Sequence, residues 1–367
     1  MAAGGIRILA LLTDAYGGFG GIALYNRDLL AAWAGDPAVS EIVAVPRLAA
    51  SPYGDVPAKV EHDLSGLASG GAYIRAALRR LSQPFDLVYC SHVNLAPLAY
   101  LLARAKRIPW LLQIYGVEAW QESPRLVTRY AARCADLVFS ISEVTTARFC
   151  AATGVSAERL VQTPLALNQS KYGTGPRSDL LLDRYGLRDS KVLMTFGRMA
   201  AAERYKGFDE IIELLPRLAA REPRIAYLAA GDGDDRPRLE RKARDLGVAN
   251  RVVFTGRVIE AEKADTYRLA DAYVMPSSGE GFGFVILEAM ACGVPAIASE
   301  TDGGREAVRG GKLGQLVRPD DAEGILRAIE TALAQPREVP AGLDFFDVPN
   351  FEGRTRAGLH RVLGART

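Results

Sequence analysis

The sequence is poor in the residues that build metal and redox centres. Among 367 residues only three are histidine (His62, His92 and His360) and four are cysteine (Cys90, Cys134, Cys150 and Cys292). The histidines are too scattered to suggest a metal site. The cysteines form no C-x-x-C pair, so a disulfide framework is not expected and the thiols read as reduced, in a cytoplasmic protein. Long apolar runs are also missing: no stretch of ~18 residues is free of charge or glycine, which excludes a membrane-spanning helix. The apolar stretch near the start is too short for a span. It lacks the basic start and small-residue cleavage site of a secretory signal, and reads as a first β-strand. Charge of one sign is not in excess, with 45 Lys and Arg against 43 Asp and Glu. This gives no support for nucleic acid as the main partner.

What is present is an ordinary globular composition, 49% apolar and 24% charged. The length fits two domains of roughly 150–200 residues each. The first half alternates apolar runs, predicted as strands over 6–13, 41–46, 86–91, 110–115 and 136–141, with helical patterns over 22–33, 72–81, 97–105 and 126–134. Such alternation means βαβ units and a parallel sheet. Residues 164–190, rich in Gly, Pro, Ser and Asn, read as a connection between domains. The alternation then restarts with "KVLMTFGRM" and runs to "PAIAS", the last clear strand. The tail, 321–367, reads as helical with a Pro-rich break over 335–348. The expectation is an α/β protein of two doubly wound sheets facing a central cleft, with ligands at the carboxyl ends of the strands.

Three loops at strand ends carry the chemistry. The first, "TDAYGGFGGIALYNRDLL", places Gly17, Gly18, Gly20 and Gly21 between a strand and a helix. Its Gly18-Phe19-Gly20-Gly21-Ile22-Ala23 fits the loose G-x-G-x-x-A dinucleotide pattern, and a helix start offers bare N–H groups to an anion. A turn kept glycine-rich only for tight packing fits as well. The second, "FGRMAAAERYKGFDEIIELL", brings Arg198 and Lys206 to a strand end, as a diphosphate requires. A solvated basic loop is the plain alternative. The third, "EGFGFVILEAMACGVPAIAS", separates Glu280 from Glu288 by a glycine turn. With a helix starting near Phe282, Glu280 lies in the loop and Glu288 about two turns in, so they are not a paired acid and base. The amides of Gly281 and Gly283 favour a phosphate, and the carboxylates suit neutral sugar or ribose hydroxyls. An acid at the helix start beside an ordinary surface acid is the alternative.

"GRMAAAERYKGF" resembles the G-R-x(n)-K-G segment of retaining GT-B glycosyltransferases of family 4. "EGFGFVILEAMACGVPAIAS" resembles their E-x7-E motif with its following strand, and the 17–21 loop stands at their N-domain glycine loop. The resemblance spans essentially the whole chain, with the second half more specific. It implies a GT-B fold of two Rossmann-like doubly wound domains: residues 1–170 for the acceptor, 171–349 for the nucleotide sugar, and a helix in 350–367 packing back on the first. It implies an enzyme of bacterial surface-glycan synthesis, with a glycan or polyprenyl-linked acceptor and no metal or other cofactor. Residue by residue it gives Arg198 and Lys206 to the diphosphate, Glu280 to the donor sugar, and Glu288 to the ribose. The backbone of Gly281, Phe282 and Gly283 would support sugar and phosphates, and the Gly256, Arg257 and Val258 loop would meet the base. Gly17, Gly18 and Gly20 complete the donor side.

One departure stands out. Many members carry a histidine in an H-G-x-E segment near the donor sugar, where this chain reads Tyr115-Gly116-Val117-Glu118. A phenol donates a hydrogen bond but cannot serve as a near-neutral base. Tyr115 and Glu118 are placed on the acceptor or sugar side with His92, which equally fits a hydrogen-bonded histidine at a strand end. "GDGDD" (231–235) contains D-x-D but follows a strand and opens a helix, so Asp234 or Asp235 reads as a helix cap. Arg75, Arg79, Arg80, Arg104, Lys106 and Arg107 read first as solvated helix faces, with an anionic membrane surface or polyprenyl diphosphate as the alternative. The "GGFGGIALYNRDLL" and "IYGVEAW" stretches lean the donor toward UDP-glucose, with GDP-mannose second. A nicotinamide dehydrogenase leaves Arg198, Lys206 and Glu280 unexplained. A non-catalytic sugar-nucleotide binder leaves Glu280 unexplained, and an epimerase fits the E-x7-E spacing less well.

Overall fold

Strands buried on both faces must be apolar throughout, because helices cover each side of a parallel sheet. In the computed structural model, which describes residues 5–18, 20–50, 54–121 and 125–364, the apolar runs pair in two such sheets. The first contains β1 (Ile6–Leu12), β2 (Val39–Pro46), β3 (Val60–His62), β4 (Leu87–Cys90), β5 (Trp110–Ile114), β6 (Leu137–Ser140) and β7 (Leu160–Gln162). Their order is β3-β2-β1-β4-β5-β6-β7. All its pairings are parallel, with Leu9 registered on Val43 and Val88. The second contains β8 (Lys191–Phe196), β9 (Ile225–Ala230), β10 (Val252–Phe254), β11 (Ala272–Met275), β12 (Ala296–Ser299) and β13 (Gln315–Val317). Its order is β10-β9-β8-β11-β12-β13, again all parallel.

The chain divides into two compact units. One takes the chain up to Ala166 and again from Val348; the other spans Leu167–Asp347. In the first unit, helices Gly70–Arg79, Ala96–Lys106, Leu126–Arg133 and Glu143–Thr153 cover one side of the sheet and share a core with Leu9, Val43, Val88 and Leu112. The last helix, Val348–Gly364, lies against Gly21–Ala34. Trp33 Nε1 donates to the Thr355 carbonyl at 3.1 Å, Arg356 Nε to the Ala32 carbonyl at 2.8 Å, and Tyr25 meets Phe351 edge-on at 5.4 Å. The second unit has its own core around Leu193, Ile211, Tyr227, Val274 and Ile297.

Strand order reverses between β1 and β4 in the first sheet and between β8 and β11 in the second. In open α/β sheets the crevice at such a reversal is where ligands bind. Gly17, Gly18, Gly20 and Gly21 follow β1, and His92 follows β4. Arg198 and Glu280 follow β8 and β11.

Several elements differ from expectation. The short strands β3, β7 and β13 and the helix Glu143–Thr153 carry too little pattern to be read. The helix Asp179–Tyr185 lies inside the stretch expected to be irregular: Ser178 accepts the Leu181 N–H and Gly186 ends it in the left-handed conformation. The local cap signals were sound, but the surrounding glycines and prolines obscured them.

Candidate active site

The site in the second unit is built where β8 and β11 end. The Lys206 side chain runs across Gly197, where a Cβ would be 3.4 Å from Lys206 Cδ, in ordinary contact. Segment Ala201–Lys206 is a 3₁₀ stretch broken at Glu203, whose backbone is not helical. That kink turns the Glu203 carboxylate between the two expected cations: one oxygen pairs with Arg198 and the other lies 3.3 Å from Lys206 Nζ. Burial pulls the Glu203 carboxyl up. The Arg198 hydrogen bond and the Lys206 charge outweigh it and hold the acid below its usual range. Lys206 Nζ is also 4.0 Å from Glu280 Oε2. The structure thus gathers Arg198, Lys206 and Glu280, with Glu203 as the carboxylate that the sequence reading passed over.

The helix after Glu280 begins at Phe284, two residues later than expected, behind Gly283 in the left-handed conformation (φ 96°). No side chain caps it, so its first amides are bare and suited to an anion. Glu288 is therefore the fifth helical residue, not two turns in. Its carboxylate, 3% exposed, accepts from Tyr172 Oη (2.6 Å), Tyr267 Oη (2.6 Å) and Lys263 Nζ (2.5 Å). Phe196 stacks on Tyr267 at 5.2 Å, linking this acid to the end of β8, two residues before Arg198. The Phe282 side chain is buried edge-on against Phe346 at 5.6 Å, which leaves its backbone as the part that can face a ligand. Gly256 bridges Gly231 at the ends of β10 and β9, with Arg257 exposed beside it and Val258 half-buried.

The "GDGDD" turn needs a further correction. Asp235 stands at the start of helix Arg236–Asp245 but makes no capping bond. It pairs instead with Arg238 (2.6 Å) and Arg204 (3.0 Å), while Asp234 accepts the Ala201 N–H at 2.9 Å. Among the described residues no group of three or more His, Cys, Asp or Glu side chains is placed to hold a metal ion.

In the first unit the glycine loop splits in two. A Cβ on Gly17 would lie 1.9 Å from the Ala50 carbonyl oxygen, and one on Gly18 would lie 1.9 Å from Asp14 Oδ2, so both are glycine for packing. Gly20 and Gly21 meet nothing within 4 Å and open the helix Gly21–Ala34 with no side-chain cap. Phe19, the middle of the dinucleotide-like pattern, lies outside the described residues. Tyr115 turns inward: its hydroxyl donates to Asn26 Oδ1 at 2.9 Å, and burial raises its pKa well above the usual phenol value. It is spoken for inside the unit and does not stand free in place of a histidine. Glu118 accepts the Tyr115 and Gly116 N–H groups at 2.6 and 3.1 Å, closing its own turn. His92 Nδ1 accepts the Asn94 N–H at 3.1 Å, the strand-end role. Burial lowers its proton affinity against a smaller opposing pull from Glu118.

The comparisons with known proteins bear on the family and the fold. Residues 20–166 match the family described as glycosyl transferase 4-like domain, and residues 190–335 match glycosyl transferases group 1. The chain is 34% identical over 313 residues to the GDP-mannose-dependent alpha-(1-6)-phosphatidylinositol monomannoside mannosyltransferase of Mycolicibacterium smegmatis, covering 80% of each protein. It is 38% identical over 164 residues to the lipopolysaccharide core biosynthesis glycosyltransferase LpsE of Rhizobium meliloti, covering 44% of this chain and 46% of that one. Its fold matches Anabaena HepE in complex with UDP, with a TM-score of 0.75 at 22% identity over 97% of this chain and all of that one. With two Rossmann-like sheets, the G-R-x(n)-K-G and E-x7-E loops assembled at one sheet edge, and relatives of this kind, the chain belongs to the GT-B retaining glycosyltransferases of family 4.

Proposed function

We propose that the enzyme transfers mannose from GDP-mannose to a lipid-linked acceptor. The observation that carries the site is the Glu203 carboxylate set between Arg198 and Lys206, with Glu280 4.0 Å from the same Lys206. A carboxylate bridging two cations occupies the kind of position a diphosphate would take. The donor identity rests on the name of the relative that matches 80% of the chain, which specifies GDP-mannose, and replaces the lean toward UDP-glucose. Arg198, Lys206 and the bare amides at Phe284 stabilise the diphosphate as its charge grows on departure. Glu280 receives sugar hydroxyls. Glu288, with three donors on a carboxylate that offers about four acceptor positions, has room for one ribose hydroxyl. The leaving phosphate takes the acceptor proton, giving same-face substitution without a glycosyl-enzyme. Catalysis needs no metal, so activity should survive EDTA.

The acceptor reading draws on the same relative and on the first unit's surface. Leu126 and Val127 are 72% and 67% exposed on a helix that also carries Arg129 and Arg133. We take this face to meet an anionic membrane that presents the acceptor. No helix among the described residues is long and apolar enough to cross a membrane. The test is transfer of labelled sugar from GDP-mannose, UDP-glucose and UDP-galactose to a total bacterial lipid extract. Label entering lipid from GDP-mannose alone supports the reading; label from UDP-glucose alone overturns the donor. A mass-spectrometric glycosyl adduct on any carboxylate would overturn the mechanism.

A further inference from the structure

The loops after β11 and β12 meet at the edge of the second sheet, and the residue that joins them is Asp302. Its side chain is fully buried. Oδ2 accepts from Ser277 Oγ at 2.7 Å and from the Glu280 N–H at 2.8 Å, and Oδ1 accepts from the Gly304 N–H at 2.9 Å. In return the Gly303 N–H donates to the Glu280 carbonyl at 2.9 Å. A Cβ on Gly303 would lie 2.1 Å from the Gly281 carbonyl oxygen and 2.7 Å from Phe282 N, so the two main chains touch where only glycine fits. The backbone of Glu280 is therefore held at both its N–H and its carbonyl by consecutive residues of the neighbouring loop.

We propose that Asp302 is a positioning residue for sugar transfer: it fixes the main chain at Glu280, and so the Glu280 carboxylate and the amides of residues 281–283, in the geometry that meets the donor. This rests on the reading that the donor lies on that loop. The chemistry of the contact explains why a carboxylate is used. Its two oxygens accept from two main-chain N–H groups at once, one from each loop. An asparagine cannot do so, because its amide nitrogen must face either the Glu280 or the Gly304 N–H and leave it without an acceptor. Losing one of these bonds in a buried site frees the loop without removing any group that touches the donor.

The test compares the full-length wild type with Asp302→Asn by amide hydrogen exchange and by steady-state kinetics with GDP-mannose. The expected result is exchange about tenfold faster across residues 279–283 with the sheet core unchanged. The kcat should fall by about tenfold or more, while the affinity for GDP alone moves by less than about threefold. A merely structural role would lower the melting temperature and the folded fraction without this split between turnover and nucleotide binding. If Asp302→Asn does not fold, Gly303→Ala attacks the same clamp from its other side and is read in the same way. Unchanged exchange, or wild-type kcat in a folded variant, overturns the proposal. If the wild type itself transfers sugar from no donor, the mannosyltransferase reading fails, and exchange alone then decides whether Asp302 holds the loop.

Discussion

Glu203 sets the electrostatics of the diphosphate site. Its carboxylate neutralises Arg198 and Lys206 where a doubly charged ligand is expected, so binding must displace it. Glu203→Gln should tighten nucleoside diphosphate by about tenfold, or about 1.4 kcal/mol, as read by titration calorimetry; weaker binding would show that Glu203 orients the cations more than it competes with the ligand. Lys206→Ala removes a charge that strengthens as the leaving group departs, and kcat/KM should fall by about 10²–10³. Asp302 gives a pH signature. Burial lifts its acid from 3.8 to about 6, against the pull of its three donors. The folded chain therefore holds this proton more tightly than the unfolded chain. The stability this contributes is full below pH 3.8 and lost as pH rises through about 6, a change of about 3 kcal/mol. Asparagine has no such term. Urea unfolding should show the stability of Asp302→Asn gaining on wild type between pH 4 and pH 7, and parallel profiles would contradict it. Arg198, Lys206 and Glu280 were legible because they stand at fixed offsets from strand ends. Glu203 and Asp302 lie within or just beyond those same stretches. They were missed because their roles come from a backbone kink and from a partner loop, neither of which leaves a periodic trace. Tyr115 was legible as a departure but not as a buried one, since its partner Asn26 is distant in sequence.

Elements were readable in proportion to their length and apolar continuity. β1, β2, β5 and β9 announce themselves, and so does the amphipathic helix Phe208–Arg221. Three-residue strands such as β3 and β13 exist only because a longer neighbour offers them a hydrogen-bonding edge, which is tertiary information. The final helix shows the same dependence. Its polar sequence buries Phe351, Leu359 and Val362 only through its contact with Gly21–Ala34 and β6, where the Phe139 ring lies 2.4 Å from the position of a Cβ on Gly358. Phe351→Ala empties a fully buried ring site against Tyr25 and should cost about 3–5 kcal/mol. A urea midpoint unchanged from wild type would mean that the helix contributes nothing to the first unit. Ser178→Ala at the start of Asp179–Tyr185 should cost about 1 kcal/mol, the loss of one cap bond.

At the scale of the molecule, a formal net charge of +2 hides an uneven distribution. The helices on one side of the first sheet, which share a core beneath, carry Arg75, Arg79, Arg104, Arg129 and Arg133 on their outer faces. Between these stand the exposed side chains of Ile74, Leu101, Leu126, Val127 and Tyr130. Tyr100 and Tyr130 meet edge-on at 5.6 Å, tying two of the helices together. Cations interleaved with exposed aliphatic groups suit an interface of anionic headgroups and acyl chains better than water alone. Each basic residue near such a surface adds about 1 kcal/mol of attraction, screened over about 10 Å at 0.1 M salt. The protein should therefore sediment with vesicles containing phosphatidylglycerol, bind neutral phosphatidylcholine vesicles far less, and lose most binding as salt rises toward 0.5 M. Replacing both Leu126 and Val127 with Asp should weaken binding without altering the turnover of a soluble acceptor analogue, which needs no membrane to present it. Equal binding to neutral and anionic vesicles would assign the interaction to the apolar side chains alone. No sedimentation at low salt would return these helices to the solvated faces that their charge pattern also fits.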